Sequence, residues 1–249
     1  MSHKIKSTWF VLLIAGLLIA CTAPAPTLSP TSASAPATQP GPTKLVPTAT
    51  SIPGIPGEQV VIPSGEGNET ISATVTGNGD IGVILADTFG YNPLRWLPLI
   101  DALDGNERLR MVTFTYRNED ATPNQDTRAV FDYLRAKGID KIICVGSGYG
   151  SRACGYLQNE PEIIGMVLLT IDQPPKIEGD FPKLFLTADA DSITPAAVTQ
   201  RVYEQSSEPK SFKSYPAGVH GPALFAKADV GPQVLADITD FINRIVSRQ

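Results

Sequence analysis

The sequence is poor in the residues that most often bind metals or form covalent crosslinks. Its 249 residues include three cysteines and two histidines, and their spacing matches no metal-binding motif. We therefore expect no metal site, and no pattern in the sequence indicates a cofactor. Basic residues are also in the minority, 20 against 25 acidic ones, which gives a net charge of −5. An acidic chain of this kind argues against nucleic acid and anionic lipid as partners.

The first twenty residues lack the length of a membrane-spanning helix but have the features of a secretion signal. Lys4 and Lys6 precede an apolar run over residues 9–20, whereas a spanning helix needs about 20 apolar residues. A short positive segment followed by such a run is typical of a signal peptide. The run ends in the sequence LIAC at residues 18–21, which resembles the bacterial lipobox.

The lipobox resemblance implies cleavage after Ala20 and acylation of Cys21. The predicted signal peptide is then residues 1–20, and the mature protein is exported and bound to membrane lipid on the outer face of the bacterial cell membrane. Two alternatives stay open: an ordinary signal peptide with a chance cysteine, and a signal anchor. Removal of Lys4 and Lys6 leaves 18 basic residues against 25 acidic ones, a net charge of −7.

The segment that follows, residues 21–56, has very little charge. It consists almost entirely of Pro, Ala, Thr and Ser, and Lys44 is its one charged residue. Such a composition cannot bury enough apolar surface to offset chain entropy, and its prolines favour an extended, semi-rigid spacer. We expect a disordered tether that holds one folded domain, residues 57–249, away from the membrane.

The domain alternates strand-like and helix-like segments. Ile81 to Ala86 is a continuous apolar run, as expected of a strand covered on both faces. Asn92-Pro93 predicts a helix start, and residues 232–246 have the three-four apolar spacing of an amphipathic helix. Residues 59–63 and 70–76 predict an antiparallel hairpin. A hairpin leading into repeated strand–helix units predicts a mostly parallel sheet with helices on both faces.

The remaining segments follow the same alternation. We predict strands at residues 110–115, 141–145, 164–170, 184–187 and 212–215, and helices at residues 94–103, 127–137, 149–158 and 195–203.

Two cysteines, Cys144 and Cys154, could pair if Cys21 is acylated. We place Cys144 in the middle of a strand and Cys154 in the helix that follows. A strand and an antiparallel helix about 10 Å apart exceed the reach of a disulfide, about 4.4–6.8 Å between Cα atoms. The sequence therefore predicts two buried free thiols, with a disulfide as the alternative.

Three loops at predicted strand ends contain residues suited to catalysis, and ligand sites on parallel sheets lie at those ends. Their sequences are GSGYG at residues 146–150, ADADSITP at 188–195 and PAGVHGP at 216–222. In this order they resemble the α/β-hydrolase family, with a nucleophile elbow, an acid and a histidine. The resemblance covers nearly the whole domain and is closest to small esterases and dienelactone-hydrolase-like members. It implies an α/β-hydrolase-type fold with minimal or no lid.

The acid and the base of the family match Asp191 and His220. In a working enzyme the carboxylate fixes the tautomer of the imidazole and stabilises the imidazolium. Asp189 is a competing acid, and Asp191 could instead cap the helix that begins near Pro195. His220 is the only histidine that remains after signal removal, although a loop histidine could also simply pack against its neighbours.

The elbow departs from the family motif, Gly-x-nucleophile-x-Gly. The one register that satisfies its two glycines puts Gly146 and Gly150 around Gly148, so the nucleophile position has no side chain. Ser147 is the alternative nucleophile, but it precedes the apex, and we expect its side chain to point away from His220. Glycine relieves backbone strain, so the turn can persist after the chemistry is lost.

The oxyanion loop departs from the family pattern as well. Where the family usually has His-Gly, this chain has Asp87-Thr88 followed by Phe89-Gly90, an alignment that Trp96 supports. The oxyanion donors would be the backbone amides of Phe89 and Tyr149. A carboxylate at Asp87 would oppose a developing negative charge, unless it is turned into a hydrogen bond within the loop.

Two functions are consistent with these residues. In the first, the domain has lost most or all serine-hydrolase activity and binds a small carbonyl or carboxylate ligand, or a protein partner, near Gly148, His220 and Asp191. In the second, it is an active ester hydrolase that uses Ser147 or a water activated by His220. A purely structural surface protein would leave the matches at His220 and Asp191 unexplained.

Overall fold

The computed structural model describes residues 54–65, 69–88, 92–117 and 123–249. The predicted signal peptide, Cys21, the tether up to residue 53 and Phe89 lie outside these ranges. Within them, no helix is both long enough and apolar enough to cross a bilayer.

In the described residues, eight strands form one sheet with the order β1-β2-β4-β3-β5-β6-β7-β8. The pairs β1–β2 and β2–β4 are antiparallel, and the other neighbours are parallel. The strands are β1 (Glu58–Pro63), β2 (Thr70–Thr76), β3 (Ile81–Ala86), β4 (Leu109–Phe114), β5 (Ile142–Ser147), β6 (Ile163–Leu169), β7 (Lys183–Ala188) and β8 (Lys210–Tyr215).

Helices cover both faces of this sheet. The α-helices of the described residues are α1 (Leu97–Leu103), α2 (Pro123–Ala136), α3 (Tyr149–Tyr156), α4 (Ala196–Gln205) and α5 (Gly231–Val246). Buried residues of α1 and α5 belong to one apolar core, and those of α2, α3 and α4 belong to the other. The predicted mostly parallel sheet, its N-terminal hairpin and its two helical layers are therefore confirmed.

The structure differs from the sequence-based boundaries mainly where helices begin. Helix α2 starts at Pro123, four residues before its predicted start. Proline suits the first position of a helix because the backbone amide that it lacks would have no acceptor there. The chain around Asn92 does turn as predicted, with Asn92 Oδ1 accepting from the Leu94 amide at 3.0 Å. That first turn is a 3-10 helix, Pro93–Trp96, which leads into α1. A second 3-10 helix, Gly221–Ala226, was not predicted.

The connection from β6 to β7, residues 170–182, contains neither helix nor strand. This is the segment where a lid would be inserted, so the expectation of a minimal lid is confirmed. At the other end of the domain, Ile55 is 5% exposed and belongs to the apolar core. The packed structure thus includes the last residues of the segment that we predicted as a tether.

The prediction of free thiols at Cys144 and Cys154 is wrong. The two cysteines form a disulfide between β5 and α3, with their Cα atoms 5.6 Å apart. The strand and the helix approach more closely than the assumed 10 Å because glycines lie between them. A Cβ atom on Gly146 would lie 2.4 Å from the Ser151 amide nitrogen, which is too close for any other residue.

Candidate functional site

The loops that follow β3, β5, β7 and β8 meet at the carboxyl edge of the sheet. They bring Thr88, Gly148, Asp191 and His220 into one small region, although these residues lie far apart in the sequence. Parallel strands produce this convergence because all of them end at the same edge. The structure therefore brings the predicted acid, base and nucleophile position together.

Asp191 and His220 form a buried hydrogen-bonded pair. His220 Nδ1 lies 2.8 Å from Asp191 Oδ2, and the two side chains are 7% and 0% exposed. The other carboxylate oxygen, Oδ1, accepts from the amides of Ile193 and Thr194 at 2.8 and 3.0 Å. Asp191 therefore both orders the turn before α4 and binds the histidine, so the two roles that the sequence left open do not exclude each other.

The competing acid, Asp189, lies outside this pair. Its side chain accepts a hydrogen bond from Ser214 Oγ on β8, and the residue is exposed. Because an ionised carboxylate only accepts hydrogen bonds, the Asp191 contact makes Nδ1 the nitrogen that carries the proton whenever the imidazole of His220 is neutral. Its Nε2 is then an acceptor that faces the site, which is the tautomer a general base requires.

Gly148 has the sharp backbone turn of a nucleophile elbow. It lies between β5 and α3 with φ 52° and ψ −115°, a conformation that residues with a Cβ adopt at a cost. The flanking position 150 also requires glycine, because a Cβ there would lie 1.9 Å from the Ala86 carbonyl oxygen. The elbow is thus retained as a turn while its apex has no functional group.

The space of the missing side chain is shared by two other residues. A Cβ built on Gly148 would lie 3.0 Å from His220 Nε2 and 2.3 Å from Thr88 Oγ1. The Thr88 hydroxyl donates to the Ser147 carbonyl at 3.1 Å, which keeps it in that position. The sequence analysis did not identify Thr88 as a site residue. The available signal was its position in the oxyanion loop, where the family usually has glycine.

Ser147 is held on the other side of the elbow. The residue is fully buried, and its Oγ has no hydrogen-bond partner in the part of the chain that the structure describes. A Cβ on Gly221 would lie 2.1 Å from this Oγ, so the hydroxyl packs directly against the backbone beside His220. No hydrogen bond joins Ser147 to the imidazole, and nothing in this arrangement activates it as a nucleophile.

Asp87 and Arg95 connect the β3 loop to the histidine loop. Burial raises the pKa of Asp87 to about 6, although the guanidinium of Arg95 opposes this rise. Arg95 Nη1 lies 3.3 Å from Asp87 Oδ2, and its Nη2 donates to the His220 carbonyl at 3.1 Å. Asp87 Oδ1 accepts from the Thr88 amide at 2.7 Å. The loop hydrogen bond considered for Asp87 is therefore present.

Of the two predicted oxyanion donors, the structure describes one, Tyr149. Phe89 lies outside the described residues. Tyr149 is the first residue of α3, and amides in a first helical turn have no acceptor within the helix. The residue is 42% exposed, and its ring lies 4.9 Å from the guanidinium of Arg152.

Metal ligands are not gathered here or elsewhere in the described ranges. Among those residues, no group of three or more His, Cys, Asp or Glu side chains could hold a metal ion. What the site can offer chemically is a proton acceptor at His220 Nε2, next to the hydroxyl of Thr88.

This sheet order, with an elbow after β5, an acid after β7 and a histidine after β8, defines the α/β-hydrolase fold. No protein-family model and no curated protein matches the sequence. Solved structures match the fold at low sequence identity. Mouse alpha/beta hydrolase domain-containing protein 10 superposes with a TM-score of 0.64 at 12% identity, covering 76% of this chain and 100% of its own.

Two esterases are similar to the same extent. The esterase domain of a Rhodothermus marinus protein has a TM-score of 0.61 at 15% identity, covering 75% of this chain and 98% of its own. A Pyrococcus furiosus esterase has a TM-score of 0.61 at 17% identity, covering 75% of this chain and 92% of its own. At these identities the likeness establishes the fold alone.

Proposed function

We propose that this protein is a membrane-anchored, extracytoplasmic member of the α/β-hydrolase fold whose serine-hydrolase activity is lost or much reduced. Its site would bind a small carbonyl or carboxylate ligand beside His220. One observation carries this proposal. Gly148 has the elbow conformation and lies next to His220 Nε2, but it has no hydroxyl.

The paired acid and base support a retained binding site. Asp191 and His220 keep their 2.8 Å contact, which holds an acceptor nitrogen toward the space above Gly148. A ligand hydroxyl or a protonated carboxyl group could donate to this nitrogen, and the amide of Tyr149 is suited to a carbonyl oxygen.

Two features support export and anchoring. The first is the signal-like N-terminus that ends at Cys21. The second is the disulfide between Cys144 and Cys154, because disulfides persist mainly in oxidising compartments outside the cytoplasm. We therefore propose that the domain lies on the outer face of the membrane, with lipid at Cys21 as its attachment.

The proposal is tested with a serine-reactive fluorophosphonate. The full chain is incubated with the probe, and adducts are located by mass spectrometry. We expect no adduct, because Gly148 offers no nucleophile and Ser147 Oγ is buried against Gly221. An adduct at Ser147 would overturn the proposed loss of the serine route.

A second function, ester hydrolysis by a water that His220 activates, is favoured by the same buried Asp191–His220 pair. It predicts slow hydrolysis of a small aryl ester without fluorophosphonate labelling. His220→Gln would reduce that hydrolysis to the background rate, whereas an equal rate in the variant would exclude this function.

A further inference from the structure

The hydroxyl that the elbow lacks has a counterpart on the neighbouring strand. Strands β5 and β6 are parallel, and Ser147 pairs with Leu169 at their carboxyl ends. The next residues, Gly148 and Thr170, are therefore neighbours across the sheet. Both have positive φ angles, 52° and 54°.

Thr170 adopts this angle despite its branched side chain. Among the described residues, it is the one residue other than glycine with a positive φ, a conformation that is unfavourable for a β-branched side chain. Such strain persists where the surrounding structure enforces it, and it is concentrated at functional sites. Here the Thr170 amide donates to the Leu186 carbonyl at 2.8 Å, which anchors the backbone.

The Thr170 side chain is directed at the imidazole. The residue is fully buried, and its Oγ1 lies 3.5 Å from His220 Nε2. The shorter contact of the same hydroxyl is a hydrogen bond that it donates to the Leu169 carbonyl at 2.7 Å. That carbonyl also accepts from the Gly148 amide at 3.0 Å and from Ser151 Oγ at 2.7 Å.

A carbonyl oxygen has two lone pairs, so three donors exceed its capacity. The Gly148 amide and the Ser151 hydroxyl have no other acceptor among their hydrogen bonds. The Thr170 hydroxyl does have one, since the Asp191 contact leaves Nε2 of His220 as an unprotonated acceptor.

We propose that Thr170 is a positioning residue that donates a hydrogen bond to His220 Nε2, from β6, in place of the hydroxyl that a serine at the elbow would supply from β5. In a serine hydrolase the nucleophile hydroxyl binds this nitrogen and is part of the same unit as the acid and base. In the ligand-free site Thr170 keeps the imidazole in the orientation that Asp191 sets. Because Nε2 has one lone pair, a ligand that donates to it replaces the hydrogen bond from Thr170, and the hydroxyl then donates to the Leu169 carbonyl alone. The proposed role of Thr170 rests on the proposed function only in taking His220 as the centre of the site.

Three charged groups of the described residues act on His220. Asp191 binds Nδ1, Arg95 binds the backbone carbonyl, and the Asp87 carboxyl interacts electrostatically with the imidazole. None of these groups is hydrogen-bonded to Nε2, so a change at Thr170 acts on that nitrogen directly.

The test measures the imidazole nitrogens by NMR in the full chain at about pH 8, well above the ordinary pKa of histidine, about 6.5. His220→Gln assigns the signals, since His3 is the only other histidine. Thr170→Val removes the hydroxyl and keeps the branched shape. We expect its Nε2 resonance to move to higher chemical shift, as for a nitrogen that accepts no hydrogen bond, while Nδ1 remains protonated.

Two further variants separate the hydroxyl from the backbone. Thr170→Ser should keep the wild-type Nε2 shift, and Thr170→Gly, which suits a positive φ, should reproduce the valine result even if the valine variant folds poorly. An unchanged Nε2 shift in Thr170→Gly, or a changed shift in Thr170→Ser, would overturn the proposal. Because no ligand is present in this measurement, its failure is independent of any failure of the proposed ligand binding.

Discussion

Restoring a hydroxyl at the elbow is a direct test of whether the rest of the site is in working order. Gly148→Ser places a side chain 3.0 Å from His220 Nε2, measured at its Cβ. The same Cβ would lie 2.3 Å from Thr88 Oγ1, so the threonine side chain must move. We therefore expect the single variant to be compromised and expect Gly148→Ser combined with Thr88→Ala to show more activity.

The energetic cost follows from two contacts. A residue with a Cβ in this sparsely populated φ/ψ region costs about 1–3 kcal/mol, and loss of the hydrogen bond from Thr88 to the Ser147 carbonyl costs about 1 kcal/mol. Gly148→Ser should thus lower the free energy of unfolding by about 2–4 kcal/mol in the wild-type background, but by about 1–3 kcal/mol when Thr88→Ala is already present. Urea unfolding of the wild type, the two single variants and the double variant gives the cost of Gly148→Ser in both backgrounds.

Activity is measured with a small aryl ester and with a fluorophosphonate. The double variant should hydrolyse the ester faster than a matched Gly148→Ala, Thr88→Ala protein, and it should form an adduct at position 148. Adding His220→Gln should reduce its rate by about 10²-fold or more, as expected for loss of a general base. A folded double variant that forms no adduct would refute the inference that Asp191 and His220 remain in productive positions. Equal unfolding costs in both backgrounds would refute the conflict with Thr88.

Three other outcomes are expected, two from the structure and one from the N-terminal sequence. Replacing Cys144 and Cys154 together with alanine should lower the free energy of unfolding by about 2–3 kcal/mol, as expected for a short crosslinked loop, and the difference should vanish in reducing buffer. Asp87→Asn should stabilise the protein by about 1–3 kcal/mol above pH 7, because burial raises the pKa of this carboxyl to about 6 and its ionisation disfavours the folded state. The gain in stability should disappear below about pH 4, where the carboxyl is protonated in both states. A gain that is independent of pH would contradict this explanation. Cys21→Ser should abolish incorporation of labelled palmitate and release the protein from membranes, whereas unchanged labelling would exclude lipid at Cys21.

The sheet was predictable because continuous apolar runs in the sequence indicate which strands are buried on both faces. Ile81 to Ala86 is apolar at every position and is buried at every position, with the same bounds as predicted. The turn at Asn92-Pro93 was equally clear, because its cap depends on two adjacent residues. The mostly parallel arrangement then followed from the alternation of such segments, without knowledge of any contact between them.

Contacts across the elbow were not predictable in the same way. The disulfide between Cys144 and Cys154 depends on how closely α3 approaches β5, and a general strand–helix distance gave the wrong answer. The two glycines that allow this approach were recognised, but their effect on the distance was not carried over to the cysteines. Thr170 was missed for a related reason, since only the register of β5 and β6 shows that it lies beside Gly148.

Hydroxyl groups from the neighbouring strand ends lie around the apex of the elbow. Gly148 has no side chain, and two threonines, on the strand ends at either side, place hydroxyls near the position it vacates. Thr88 lies 2.3 Å from the missing Cβ, and Thr170 lies 3.5 Å from the base. Because a buried acceptor nitrogen without a donor is costly, a site that had only lost its serine would leave His220 poorly satisfied. The positions of these hydroxyls explain how the Asp191–His220 pair can stay buried and ordered without the nucleophile that usually completes it.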